Sequence, residues 1–230
     1  IYLYKDIRPE FLSEYKLSII KQLGLVDIEK ANFGFDRVGG MDYLKKIFRD
    51  YIIKFVRNPA LVKKLGGRLP KGILLFGPPG TGKTYITKAL SGELSIPFFK
   101  MELSRVLSKF YGESEQRMRL LLEAVETMSP SILFIDEFDA IATKRGTLQE
   151  HEASRRLKNI LLDWLGQEER STIVIAATNR IEDIDEAIRR RGRFSLIIPV
   201  LWPDFRSRYE ILSVHFKIRG HDPEKLPLRD

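Results

Sequence analysis

Cysteine is absent from all 230 residues, which excludes disulfides and thiolate metal sites and fits a reducing compartment. No apolar run approaches the roughly 18 residues that a membrane-spanning helix needs, and no secretory leader pattern is visible. Low-complexity tracts and internal repeats are missing as well. These absences set aside a disulfide-stapled scaffold, a membrane-helix bundle and a disordered tail. What is present is 43% hydrophobic and 30% charged residues, the balance of a folded chain long enough to bury an α/β core. The chain begins at Ile1 rather than methionine and ends Leu-Arg-Asp, so it reads as an excised segment.

The net charge is +8, with a pI near 9.6. Clustered lysine and arginine would release counterions from a nucleic-acid backbone. Here the basic residues are dispersed, and only Arg189, Arg190, Arg191 and Arg193 form a cluster. A nucleic-acid partner is therefore disfavoured, and solvated helix faces, nucleotide binding and arginine contacts between subunits account for the excess.

Coarse periodicity predicts the organisation. Pro9 followed by Leu12, Tyr15, Ile19 and Leu23, then Gly24, reads as an amphipathic helix packed on the main domain. Residues 25–40 read as a linker, and a helix over 43–55 stops at Asn58 and Pro59. Five short apolar runs follow, at 72–76, 98–101, 132–135, 172–177 and 196–200, separated by helix-length segments. Met118, Leu121, Leu122, Val125 and Met128 recur at helical spacing and read as core. The alternation predicts an α/β fold with a mostly parallel sheet covered by helices on both sides.

Residues 77–84 read Gly-Pro-Pro-Gly-Thr-Gly-Lys-Thr, between the strand-like 72–76 and the helix-like 85–90. The pattern G-x-x-x-x-G-K-[ST] in this context is a phosphate cradle. Gly77, Gly80 and Gly82, with Pro78, Pro79 and Thr81, let backbone N–H groups turn toward phosphate, and the following helix adds its positive end. Lys83 can reach the β- and γ-phosphates, and Thr84 can offer its hydroxyl to Mg²⁺. The expected ligand is ATP or ADP with Mg²⁺, bound by these residues and Tyr85. A second signal stands about fifty residues on, where the apolar run 132–135 ends in Asp136 and Glu137. Carboxylates at the tip of a buried strand call for a cation or hydrogen-bond partners. Asp136 suits the water shell of Mg²⁺, and Glu137 suits the general base that polarises water.

Taken with Val38-Gly39-Gly40, Ala177-Thr178-Asn179-Arg180 and Arg189-Arg190-Arg191-Gly192-Arg193-Phe194, these motifs resemble, in order and spacing, the AAA ATPases of the AAA+ superfamily. These are protein-remodelling motors, and the likeness covers roughly residues 33–218. The resemblance implies a P-loop three-layer sandwich with a five-stranded, mostly parallel sheet in strand order 5-1-4-3-2, followed by the start of a truncated helical lid. Its division would be an N-terminal helix and linker over 1–32, the nucleotide-binding core over 33–202 and the lid from 203. It further implies a homo-hexameric ring, a protein substrate threaded through a central pore and a cytoplasmic setting.

By the same resemblance Asn179 is similar to the polar sensor near the γ-phosphate, and Arg190 and Arg193 to arginine fingers that enter the neighbouring subunit's site. Val38 and Gly39 resemble the backbone beside adenine, and His215 the lid histidine near ribose and base. Phe110, Tyr111 and Gly112 resemble the pore loop that grips polypeptide. Departures are Arg37 for a frequent acid, a segment at 162–166 one residue short, Arg191 for proline or phenylalanine, and Ser195 for aspartate. Two other classes stay open at this level: a nucleotide-gated scaffold with little hydrolysis, and a DNA-processing loader.

Overall fold

The computed structural model describes residues 9–64, 66, 70, 72–109, 114–142, 148–167, 170–184 and 193–225. Its centre is a sheet in the order β1-β3-β4-β5-β2-β6. The strands are β1 (Asp27–Glu29), β2 (Ile73–Phe76), β3 (Phe98–Glu102), β4 (Ile132–Asp136), β5 (Ile173–Thr178) and β6 (Leu196–Pro199). β2 to β6 are mutually parallel, and only β1, on β3, is antiparallel. The five expected strands are all present, in the implied order.

The inner strands read as unbroken apolar runs because both sheet faces are covered. Alternation along each strand still assigns sides. Leu74, Leu133, Ile135, Val174 and Ala176 face one core, with residues of α7 (Ser114–Thr127) and α9 (Leu148–Gly166). Ile73, Leu75, Phe134, Ile175 and Ala177 face the other, with α2 (Asp42–Phe48) and α5 (Lys83–Leu94). Met118, Leu121, Leu122 and Val125 of α7 are buried as their spacing requires, and Met128 packs against them.

The predicted helix over 43–55 is one continuous helical run, α2 continuing through a π segment (Arg49–Ile53) into α3 (Lys54–Arg57). Leu44, Phe48 and Ile52 recur every four residues and are wholly buried. That spacing drifts around a 3.6-residue helix, and the wider π turn keeps the three on one line into the core. A short α4 (Pro59–Lys64) follows Asn58.

The stretch 25–40, expected as a linker, departs from that reading. Leu25 and Val26 are buried beside Ile20 of α1 (Pro9–Leu23), and 27–29 form the sheet's sixth strand. A three-residue strand gives too little periodicity to be seen in sequence; its ladder with β3 holds it, and ion pairs flank that ladder. Arg105, on α6 (Leu103–Lys109), lies 3.4 Å from Asp27 and 2.8 Å from Glu102, and Lys88 pairs with Glu29. The expected boundary at residue 32 therefore falls after a strand of the core sheet. α1 packs on α7, where Lys16 Nζ donates to Thr127 O at 3.1 Å. After β6 the chain enters α10 (Phe205–Ile218), whose N-cap Asp204 accepts from Ser207 N at 2.7 Å.

Candidate functional site

β2, β4 and β5 end side by side, and the phosphate loop leaves from the first of them. Gly77 N donates to Thr178 O at 3.2 Å, and Val200 N donates to Phe76 O at 2.7 Å, so the loop springs from between the ends of β5 and β6. Gly77 has φ +148°, and a Cβ there would overlap the carbonyl of Val200, so only glycine passes. Thr81 Oγ1 donates to Pro78 O at 2.9 Å and ties the loop to itself.

Lys83 opens α5, with a side chain folded into the loop. Its Nζ donates to Gly77 O at 2.7 Å, Pro78 O at 2.8 Å and Asn179 Oδ1 at 3.0 Å. Burial holds the ammonium below the usual lysine range, partly opposed by Asp136 and Asp139. A cation withdrawn from water and held by neutral acceptors gains strongly from an anion placed among its donors. Thr84 follows in the first turn of the twelve-residue α5, and the Tyr85 hydroxyl donates to Arg37 O at 3.0 Å.

The tip of β4 faces this loop across β5. Burial raises Asp136 above the ordinary aspartate range, and Glu137 and Glu102 add repulsion, while the Glu137 amide, donating to Asp136 Oδ1 at 3.0 Å, and Lys100 pull the other way. Glu137 has φ +52°, a left-handed conformation uncommon for a residue with a Cβ. The turn it makes leaves Glu137 exposed while Phe138 is driven into the core, its amide donating to Ala177 O at 2.9 Å and its ring edge-on to Phe194 at 5.2 Å. The acid is thus displayed between two fixed neighbours.

Asp139, at the start of α8 (Asp139–Ala142), has no role in the sequence reading. Its Oδ1 accepts from Thr178 Oγ1 at 2.9 Å, and that hydroxyl accepts from Arg180 N at 3.0 Å. The pair fixes the turn that presents Asn179. Its spacing, three residues after Asp136, was the available signal.

On the far side of the loop lies a cleft of about 660 Å³. Val38, Gly39 and His215 meet Gly80, Thr81, Gly82 and Tyr85 in its wall. Tyr43, Trp202, Glu210, Ile211 and Val214 also line it and escaped the sequence reading. Ile211, Val214 and His215 stand at i, i+3 and i+4 on α10, so helical phasing from His215 would have found two of them. The Tyr43 hydroxyl donates to Pro199 O at 2.7 Å, and burial raises its pKa. Among the described residues no group of three or more His, Cys, Asp or Glu gathers as a metal cage, and no helix is long and apolar enough to cross a membrane.

Arg193 precedes β6 at the opposite end of the strand pair from the loop. Next to it, Ser195 N donates to Gly72 O at 2.8 Å, and Gly72 precedes β2 whereas Gly77 follows it. Arg190, Phe110, Tyr111 and Gly112 lie outside the described residues.

Comparison with known proteins agrees with this geometry. The family model for the "ATPase family associated with various cellular activities (AAA)" matches residues 73–200, from the start of β2 to the residue after β6. The ATP-dependent zinc metalloprotease FtsH of Helicobacter pylori is 42% identical over 199 residues, covering 84% of this chain and 31% of that protein. The proteasome-activating nucleotidase of Saccharolobus islandicus is 39% identical over 212 residues, covering 90% of this chain and 53% of that protein. Its counterpart in Saccharolobus solfataricus is 38% identical over the same length. The chain thus spans 31% of the length of FtsH and 53% of the length of the nucleotidases it matches. With a family match that covers more than half of the chain and runs through every parallel strand of the sheet, the chain belongs to the AAA family of ATPases.

Proposed function

We propose that this chain binds ATP and hydrolyses it with Mg²⁺ as the ATPase module of a ring that remodels or unfolds protein. The observation that carries the reading is the convergence of Lys83, at the start of α5, with Asn179 and Asp136 at the tips of the adjacent strands β5 and β4, beside a cleft roofed by α10. The triphosphate lies along the loop, with Lys83 exchanging its carbonyl partners for phosphate oxygens. The base enters the cleft between Val38, Gly39 and His215. Thr84 and Asp136 are the residues that would hold Mg²⁺, one by its hydroxyl and the other through the ion's water shell. When bound, that ion neutralises charge on the phosphates. Glu137, exposed at a turn that both neighbours anchor, takes the proton from attacking water, and Asn179 orients that water.

Arg193, at the far end of β2 and β6 from its own loop, is suited to a neighbour's site rather than its own. With Arg190 it would supply guanidinium charge in trans within a hexamer. The pore loop Phe110, Tyr111 and Gly112 would grip the polypeptide. FtsH is by name a metalloprotease and the nucleotidase a proteasome activator, which favours protein over nucleic acid as the substrate handled. ATP supply fits a cytoplasmic setting. The proposed division ends the core at residue 202 and starts the lid at 203, as expected, and moves the start of the core from residue 33 back to β1, which joins its sheet.

The test is Glu137→Gln. It should retain ATP affinity and lose turnover by about 10²- to 10⁴-fold, because the amide keeps the shape and accepts no proton. Turnover equal to the parent would assign water activation to another group.

A further inference from the structure

We infer that Glu210 is a positioning residue that clamps α10 onto the backbone of Gly39 and Gly40 and thereby shapes the base end of the cleft. The inference rests on the nucleotide reading above. Glu210 Oε2 accepts from Gly40 N at 2.9 Å, and Oε1 accepts from Arg206 Nε, one turn earlier, at 3.0 Å. Arg206 is 82% exposed and Glu210 32%, so the arginine steers the carboxylate from the solvent side.

The rest of the contact has almost no side chain in it. A Cβ at Gly39 would lie 2.5 Å from Ile211 Cα, and one at Gly40 would lie 2.7 Å from Ser207 Cβ. Ser207, Glu210 and Ile211 are i, i+3 and i+4, one face of α10 lying flush on the two glycines. Val214 and His215, the next residues on that face, line the cleft. No residue of α10 is fully buried, so the helix lacks the apolar anchoring that fixes α5 or α7. A directional bond to Gly40 therefore carries much of the burden of setting where Val214 and His215 stand. Glu210 acts on the base through the helix it holds, and the phosphate loop is untouched by it.

Calorimetric titration of the parent, Glu210→Ala, Glu210→Asp and Glu210→Gln with ADP and with tripolyphosphate, which has no base, tests this. Glu210→Ala should weaken ADP about tenfold, the worth of one charge-assisted hydrogen bond, and leave tripolyphosphate within about twofold. Glu210→Asp keeps the charge without the reach and should behave as alanine does. Glu210→Gln retains an acceptor for Gly40 N and should stay within about threefold of the parent for ADP. Equal losses for both ligands, an unchanged ADP affinity in Glu210→Ala, or a Gln variant as weak as Ala would each overturn the positioning role while leaving the nucleotide site standing. A parent that bound neither ligand would overturn the nucleotide reading and this inference with it.

Discussion

The two ends of the proposed nucleotide cleft are built on opposite principles. At the phosphate end, the loop and the acids leave β2, β4 and β5, whose apolar residues are almost all wholly buried, and every turn is tied to a neighbouring strand by backbone hydrogen bonds. At the base end, a helix with no fully buried residue rests on two glycines, and its Glu210 carboxylate accepts from Gly40 N. The phosphate end is rigid because many buried groups would have to move together. The base end adjusts at the loss of few contacts. The proposed cycle of binding, hydrolysis and release needs both: fixed geometry where charge develops, and a yielding wall where the ligand enters and leaves.

Removing the central cation should produce the largest effect. Lys83→Ala is expected to weaken ADP and tripolyphosphate alike, by about a hundredfold, since both lose two charge-assisted hydrogen bonds. Calorimetry with the two ligands checks it, and a loss confined to ADP would erase the distinction between the ends. Gly39→Ala attacks the other end. Its Cβ meets the Ile211 backbone, which cannot swing aside like a side chain. ADP affinity should fall about tenfold with tripolyphosphate nearly unchanged, the effect of lifting the helix rather than disturbing the loop.

The smallest effect concerns stability. Asp136 has a folded-state pKa raised above its unfolded value, chiefly by burial. A raised acid contributes stability that is complete below the unfolded pKa and is lost as pH rises through the folded one. Above that raised pKa the parent therefore carries a charged, partly desolvated group. Asp136→Asn should melt a few degrees higher at pH 7 without ligand, and the gap should narrow as pH falls toward the ordinary aspartate range, while turnover is lost. Calorimetric melting across that range decides it. A gap that widened on acidification would mean that burial is not what unsettles Asp136.

The legible parts of the sequence were those written in local patterns. The loop at 77–84, the strand ending at Asp136 and the five apolar runs each need only neighbouring residues to be recognised. β1 was missed because three residues, two of them acidic, carry no strand signal, and Lys88 and Arg105, distant in sequence, supply its anchors. Glu210 was missed because nothing near it on α10 marks a carboxylate whose partner is the amide of Gly40. Asp139 lay beside a recognised motif, yet its partner Thr178 stands on another strand.

By itself the sequence determined the chemistry on offer: a glycine-rich loop for phosphate, a lysine and a threonine at a helix start, and two acids at a strand end. Those capacities follow from residue type and short-range backbone geometry, which adjacent residues dictate. Only the tertiary structure decided that Lys83 reaches Asn179, that Thr178 and Asp139 brace that asparagine, and that α10 lies flush on Gly39 and Gly40. Each of these joins groups far apart along the chain, and such pairings form only when the sheet closes and its covering helices settle, a cooperative outcome that no local pattern encodes.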